Sequence, residues 1–272
     1  MTYRDMQDAL MRELRLYHYP VAVSYCESEE KLREFKARAR YVTPVKPITF
    51  CQWEVAARMQ RTTVLADKDA LGCSNALVTF GWKEIDANEI KSQLKYCVDL
   101  EQAERFMGSK PRLPSGWLKA VVVGPLGDCV LPPDVVHFYC DNMQSYHLAV
   151  DYMAATDTHP LHPQVLMSSS ACGGGVFCWQ QQSFNMGPAC SGSYNAGKTE
   201  RGEVNVFIPG ARIEAVVKRM LARIEGSGGG SVTRPGDPFP GGDICKNCPL
   251  IVFRKGEPGA EACAGCADNA KQ

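Results

Sequence analysis

The sequence predicts an α+β fold: a mixed sheet with flanking helices, in two pseudo-symmetric halves, followed by a small cysteine-knuckle tail. Three observations carry this. Apolar, β-branched runs alternate with helical periodicity as far as residue 225. A strand ending in Tyr-Cys-acid occurs twice, at Tyr25-Cys26-Glu27 and at Tyr139-Cys140-Asp141, each time ahead of a helix. A Gly- and Pro-rich stretch over 226–242 then separates a main α+β domain, 1–225, from a tail, 243–272, that carries two Cys-x2-Cys pairs.

The elements follow in order. Residues 2–16 read as an amphipathic helix with Met6, Leu10, Met11 and Leu14 on one face. Pro20 ends that segment and 21–25 is a strand. Residues 27–39 form a charged helix, 51–59 a helix, and 62–66 a short strand. A loop around Gly72-Cys73-Ser74 leads to two short helices over 85–107. Residues 118–123 are an apolar strand closed by Gly124-Pro125-Leu126, 134–139 a second strand, and 143–155 a helix. The Gly/Ser/Cys-rich segment 168–197 lacks regular patterning and reads as a long functional loop. A strand over 203–208 precedes a helix that Pro209 starts and that runs to Ile224, since proline suits the first helical turn.

Composition narrows the function. Thirty basic and thirty acidic residues leave a formal net charge of zero, with no basic run to track nucleic acid. No apolar stretch reaches the roughly 20 residues that cross a bilayer. The opening residues are charged and amphipathic and lack the apolar core of an export signal. A soluble, cytoplasmic protein is expected, with neither nucleic acid nor membrane as partner. In that setting thirteen cysteines point to metal or redox chemistry rather than to disulfides, and their odd number argues against a closed disulfide framework.

Two groups of cysteines stand out. In the tail, Cys245, Cys248, Cys263 and Cys266 form paired knuckles that can set four thiolates at tetrahedral corners. Zn suits that arrangement, and an Fe–S cluster is held by the same ligands. The strand-like 250–254 followed by Lys255-Gly256 resembles a zinc-ribbon hairpin and leans towards Zn. In the main domain, Cys51, Cys73, Cys172 and Cys190 each sit where the chain turns or where glycine permits close approach. Cys51 falls at a helix start, where the positive helix end favours thiolate. Gly173-Gly174-Gly175 offers unhindered backbone N–H groups for sulfide or an anionic ligand. The expectation is that these four meet and hold one 4Fe–4S cluster. Burial as small apolar side chains is the competing reading for each of them.

Other residues carry weaker signals. Cys178 competes as a ligand, while Cys26, Cys97, Cys129 and Cys140 read as core. His18, His137 and His147 read as structural, and His159 and His162 as an exposed loop pair. Lys198 and Arg201 are placed to meet an anionic substrate. No phosphate-binding loop, dinucleotide fingerprint or hydrolase elbow is present.

An ordered set of short motifs runs through the main domain. It comprises Phe50-Cys51-Gln52 with Ala56-Ala57-Arg58, then Cys73, Val123-Gly124-Pro125-Leu126 and Pro133-Asp134-Val135-Val136. Ala171-Cys172, Cys190-Ser191-Gly192 and Pro209 complete it. This set resembles the domain of unknown function 169 family over residues 5–225. The resemblance implies a self-contained domain in which the cysteine positions matter, and it implies no activity. The tail lies beyond it.

The expected function is therefore an iron–sulfur redox protein, reducing a small molecule or exchanging electrons with a redox partner protein. Its cofactors would be one or two 4Fe–4S clusters, with Zn as the alternative in the tail. A non-catalytic metal or cluster carrier and a zinc-stabilised ligand-binding protein are the alternatives. The residues name no catalytic acid or base.

Overall fold

A computed structural model of the chain describes residues 1–226. The expected linker beyond Gly226 and the four tail cysteines, Cys245, Cys248, Cys263 and Cys266, lie outside the described residues.

Among the described residues, apolar segments give six strands: β1 (Val21–Cys26), β2 (Val64–Ala66), β3 (Ala120–Pro125), β4 (Val135–Cys140), β5 (Asn185–Pro188) and β6 (Val204–Pro209). They form one sheet in the order β2-β3-β1-β4-β6-β5. Every pairing between these strands is antiparallel. β3 inserts between β1 and β2 and bonds antiparallel to both. The expected mixed character is thus reduced to two isolated parallel bridges, Val42 to Val64 and Ile48 to Leu71.

Among the described residues, ten helices flank the sheet: α1 (Tyr3–Glu13), α2 (Glu29–Arg38), α3 (Phe50–Gln60), α4 (Ser74–Thr79), α5 (Ala87–Lys91), α6 (Leu100–Ser109), α7 (Asn142–Thr156), α8 (Ser170–Gln181), α9 (Ser191–Asn195) and α10 (Ile213–Gly226). None among the described residues is long and apolar enough to cross a membrane.

The sheet order reads the same from either edge, and so does the chain. Strand, two helices, strand, short helix and strand occur as β1-α2-α3-β2-α4-β3, and again as β4-α7-α8-β5-α9-β6. The first pass adds α5 and α6 before its last strand. Both passes end on a strand-terminal proline, Pro125 or Pro209, followed by a single 3-10 turn at Leu126–Asp128 or Gly210–Arg212. β1 and β4 meet at the centre, with Val21 opposite His137.

Strand side chains alternate between two faces. Val23, Tyr25, Val123, Val135 and Phe207 point to one face, where they pack with Phe50 and Trp53 of α3, Ala76 of α4, and Cys172 and Val176 of α8. Cys26, Ala120 and Val122 point to the other, under Phe35 of α2. α7 packs on β4, β6 and α10. The bidentate pair of Arg223 with Asp151, at 2.8 Å for both bonds, ties α10 to α7.

Two expectations are overturned. The segment 168–197 is not a long loop, because it contains α8, β5 and α9. The glycines that suggest loop are the reason α8 can sit where it does. A Cβ on Gly174 would stand 2.5 Å from Cε2 of Phe207, so only glycine lets the helix backbone reach the sheet. α8 is buried along most of its length and shows no polar stripe to betray its period. The backbone of 173–175 is accordingly packed inside a helix rather than offered as open N–H groups. Pro209 also does not begin α10. It closes β6, and Gly210 follows at a point where a Cβ would lie 1.7 Å from the Pro133 carbonyl oxygen, so the helix starts only at Ile213.

Gly174→Ala is expected to cost about 1–3 kcal/mol through overpacking against Phe207. Gly108→Ala, in α6 with nothing within 4 Å of the added carbon, is expected to gain up to about 1 kcal/mol of helix propensity. Urea denaturation midpoints of the two variants check the contrast.

Candidate functional site

The four main-domain cysteines all occupy helix starts. Thr49 caps α3, its hydroxyl accepting from the Gln52 amide while Gln52 reaches back to the Thr49 amide, and Cys51 falls in the first turn. Cys172 lies in the first turn of α8. Cys73 and Cys190 occupy the cap positions of α4 and α9, topologically equivalent helices of the two halves. Cys51 and Cys172 likewise sit on equivalent helices, so the pseudo-symmetry pairs the four thiols two by two.

Tertiary packing sets α8 beside α3 and α4 on the same face of the sheet. The thiols are then close enough for charge on one to act on the next. Burial pushes the Cys172 thiol up to about 12, and charge at Cys73 and Cys190 adds to this while Lys110 and Thr79 oppose it. Burial likewise drives the Cys51 thiol far above its usual range, with Glu54, Cys172 and Cys190 adding to the effect and a hydrogen bond with Ser193 opposing it. Cys172 is 5% exposed, whereas Cys51, Cys73 and Cys190 are half-buried. Among the described residues, no three of these sulfurs lie within 4.8 Å of one another.

Polar groups surround the thiols. Lys110 is 4% exposed and donates to Asn75 Oδ1 at 2.9 Å and Ser168 Oγ at 3.4 Å. Burial lowers its ammonium pKa, while charge at Cys172, Cys73, Glu89 and Cys190 raises it. The Cys190 amide donates to Ser170 Oγ at 2.6 Å, joining the starts of α8 and α9. The Cys172 thiol faces Thr79 Oγ1 at 3.8 Å and the Ser169 carbonyl at 3.7 Å. Ser169 itself is held left-handed, at φ 65° and ψ 29°, and its buried hydroxyl has no partner among the described residues. A non-glycine residue in that region is strained, and strain of this kind gathers at functional sites.

One turn along α3 from Cys51 lies Glu54, wholly buried. Its carboxylate meets His137 Nδ1 at 2.6 Å and accepts from the Tyr139 hydroxyl at 2.6 Å. His137 Nε2 meets Asn205 Oδ1 at 3.1 Å, and Asn205 Nδ2 reaches Ser170 Oγ at 3.4 Å. Arg58, one further turn along α3, stacks 3.8 Å from the Tyr139 ring centroid and donates to Glu203 at 2.8 Å.

The remaining candidates fall outside this arrangement. Cys178 is buried in the apolar core with its thiol raised by burial alone, and Cys26, Cys97 and Cys140 are buried too. Cys129 is half-buried and lies in a loop after β3. Lys198 contributes its backbone carbonyl to Arg58, and Arg201 donates to the Tyr194 hydroxyl. His159 is exposed beside Asp157. His18, Glu200 and Glu203 form a loose group within 4.8 Å, but Arg58 already supplies the cation that Glu203 faces.

Sequence reasoning misses Lys110, Glu54, Ser170 and Ser193, and it reads His137 as structural. A signal existed for two of them. Glu54 shares a helix face with Cys51, and His137 is a lone titratable side chain in the apolar run Val135-Val136-His137-Phe138, where burial demands a partner. Lys110 and the serines lie far from the cysteines in sequence and carry no local mark.

Burial pushes the Glu203 carboxyl up, but hydrogen bonds from His18 and Arg58 outweigh it and hold the group at about 2, below its ordinary 4.5. Its contribution to stability is therefore full above 4.5 and is lost as pH falls through about 2. Glu203→Gln should be less stable than the native chain at neutral pH, and the gap should close between these two values. Urea midpoints measured against pH check this.

No curated protein and no solved structure matches the chain. A family model covers residues 9–219, which spans both pseudo-symmetric halves and all four helix-start cysteines. The chain belongs to the domain of unknown function 169 family, described as an uncharacterised ArCR family.

Proposed function

We propose that this chain is an iron–sulfur redox protein of a reducing cytoplasm in which Cys51, Cys73, Cys172 and Cys190 hold one 4Fe–4S cluster. The observation that carries the reading is that four thiols distant in sequence each sit at a helix start, with Cys51, Cys73 and Cys190 all within electrostatic reach of Cys172.

The chemistry of the surroundings fits such a group. Metal binding removes thiol protons outright, so the raised thiol pKa values belong to the metal-free chain. The dipoles of α3 and α8 and the Lys110 ammonium offset the negative charge that four thiolates bring. The unpartnered Ser169 hydroxyl is a donor of the kind that tunes cluster sulfur. The tail cysteines Cys245, Cys248, Cys263 and Cys266 would hold a second cluster or Zn. With a second cluster, the tail would pass electrons between a partner protein and the main site.

One observation favours a second reading. Cys51, Cys73 and Cys190 are only half-buried, as suits a cluster carrier that releases its cargo. Transfer of iron and sulfide to an apo-acceptor distinguishes a carrier from a redox protein, which retains its cluster through turnover.

Iron, acid-labile sulfide and zinc contents with a visible spectrum, on protein prepared without oxygen, test the proposal. About four irons per chain with matching sulfide is the expected minimum, and about eight would place a second cluster in the tail. Cys172→Ser and Cys190→Ser should each remove about four irons. Zinc alone, with a colourless protein, would end the iron–sulfur reading and leave the zinc-stabilised binding protein.

A further inference from the structure

We infer that an exposed stripe of cations and tyrosines beside Cys190 is the docking face for a small acidic electron-transfer protein, a role that rests on the cluster reading above.

The stripe is continuous through side-chain contacts. Lys95 Nζ stands 5.0 Å from the centre of the Tyr96 ring. The Tyr96 hydroxyl meets Ser191 Oγ at the first residue of α9. Tyr194 follows one turn along α9, and Arg201 Nε donates to its hydroxyl at 3.4 Å. Lys95, Tyr96, Ser191, Tyr194 and Arg201 are all exposed. Both halves of the fold contribute, because Lys95 and Tyr96 belong to the insertion of α5 and α6 while the rest belong to the second half. Cys190 is the cap residue of α9 and is half-buried, so the stripe begins next to a residue of the cysteine site.

The side chains are those of an interface. Tyrosine and arginine are enriched where proteins meet, since each joins a large contact area to a polar tip. Tyr96 is 37% exposed and Tyr194 42%, and beside Tyr96 the side chains of Leu94 and Val98 are exposed too. Tyr96 and Tyr194 are not wasted core residues: each spends its hydroxyl on a contact within the stripe, which fixes the ring for a partner at little further cost in entropy.

Charge names the partner. Among the described residues neither Lys95 nor Arg201 has an ion pair, and Lys91 on α5 adds a third exposed cation. The acids of the same segments are mostly engaged. Glu89 is held by Lys83 and Ser74, Asp99 accepts from the Gln102 amide, and Glu203 is held by Arg58. Glu200 lies 3.9 Å from His18. Such a patch steers an acidic surface towards it and is screened by salt. The chain's own segment beyond Gly226 carries as many basic as acidic residues and does not match it.

Electron transfer weakens steeply with distance, so a donor must dock where its centre comes close to the acceptor. Redox encounters are small and brief, and a few charges around aromatic contacts suffice to orient them. The step moves one electron: the reduced partner loses it and the oxidised cysteine centre gains it, with no bond made and no proton transferred. With flavodoxin as donor, the hydroquinone anion becomes the neutral semiquinone.

The test uses the oxygen-free full chain and flavodoxin, a small acidic one-electron carrier whose semiquinone is blue. Binding of oxidised flavodoxin is measured by calorimetry from about 20 to about 200 mM salt. Transfer from its hydroquinone is followed by stopped flow, and iron content is measured throughout. Lys95→Glu and Arg201→Glu reverse one charge each in the stripe. Lys36→Glu reverses one exposed charge on α2, on the other face of the sheet, so all three variants change net charge equally. Affinity and transfer rate that fall with salt are expected. Both should drop about tenfold at low salt in the two stripe variants, and no more than about twofold in Lys36→Glu, at unchanged iron. Equal losses in all three variants, or no binding or transfer by an iron-containing native chain, overturn the docking face and leave the cluster reading intact. Absence of iron from the native chain overturns both. Tighter binding of a single strand of about twelve nucleotides, lost in the two stripe variants, would assign the stripe to nucleic acid and overturn the inference. So would a native dimer that these two variants dissociate, because the occupant would then be a second copy of the chain.

Discussion

The seat of α8 on Phe207 is the contact on which the rest of the site depends. A helix normally stands off a sheet by the length of its side chains. Here Gly174 removes that spacer, and the Phe207 ring occupies the place a Cβ would take. The same ring stacks on His137 on its sheet side. One aromatic side chain therefore sets the height of the helix that carries Cys172 and covers the pair formed by Glu54 and His137. Ser169 and Ser170, at the start of that helix, are drawn into place with it, and through Ser170 so is the amide of Cys190.

Pseudo-symmetry explains why Cys51, Cys73, Cys172 and Cys190 fall at equivalent helix starts in the two halves. Each half supplies a longer helix with a cysteine in its first turn and a short helix capped by a cysteine. Antiparallel pairing of β1 with β4 then brings equivalent ends of the two halves together. The halves differ where it matters chemically. Only the first inserts α5 and α6, and the Lys110 that follows α6 puts a buried cation among the cysteines. The Tyr96 hydroxyl, from the same insertion, reaches Ser191 at the start of α9. The two-fold arrangement is thus broken, with Lys110 on the side of the first half's insertion and Glu54 on α3.

The polar groups beneath the sheet face are costly to bury and are matched almost one for one. Glu54, Arg58, His137 and Asn205 are each no more than 1% exposed, and each has partners. Such a network has a higher price than an apolar core of the same volume if any member is lost. Its position between the central strands and α3 makes it part of the same rigid block that positions Cys51.

Much of this was legible in the sequence, for reasons that can be named. Apolar runs marked β1, β3, β4 and β6, and 51–59 was legible as a helix starting at Cys51, because these signals are local and act through the backbone. The repeated Tyr-Cys-acid strand end pointed to the two halves. α8 and α9 were illegible, since a helix buried on most sides shows no polar stripe and its glycines, chosen for contact with Phe207, mimic a loop. The neighbours of the cysteines were equally hidden: Lys110, Ser170 and the partnership of Glu54 with His137 join positions far apart in the chain. By itself the sequence determined the thiols, the helix start at Cys51 and most of the strands, because propensity acts within a few residues. Only the tertiary structure decided which thiols come within electrostatic reach of Cys172 and which buried charge acts on them, because that follows from sheet order and from how closely a helix can approach a ring.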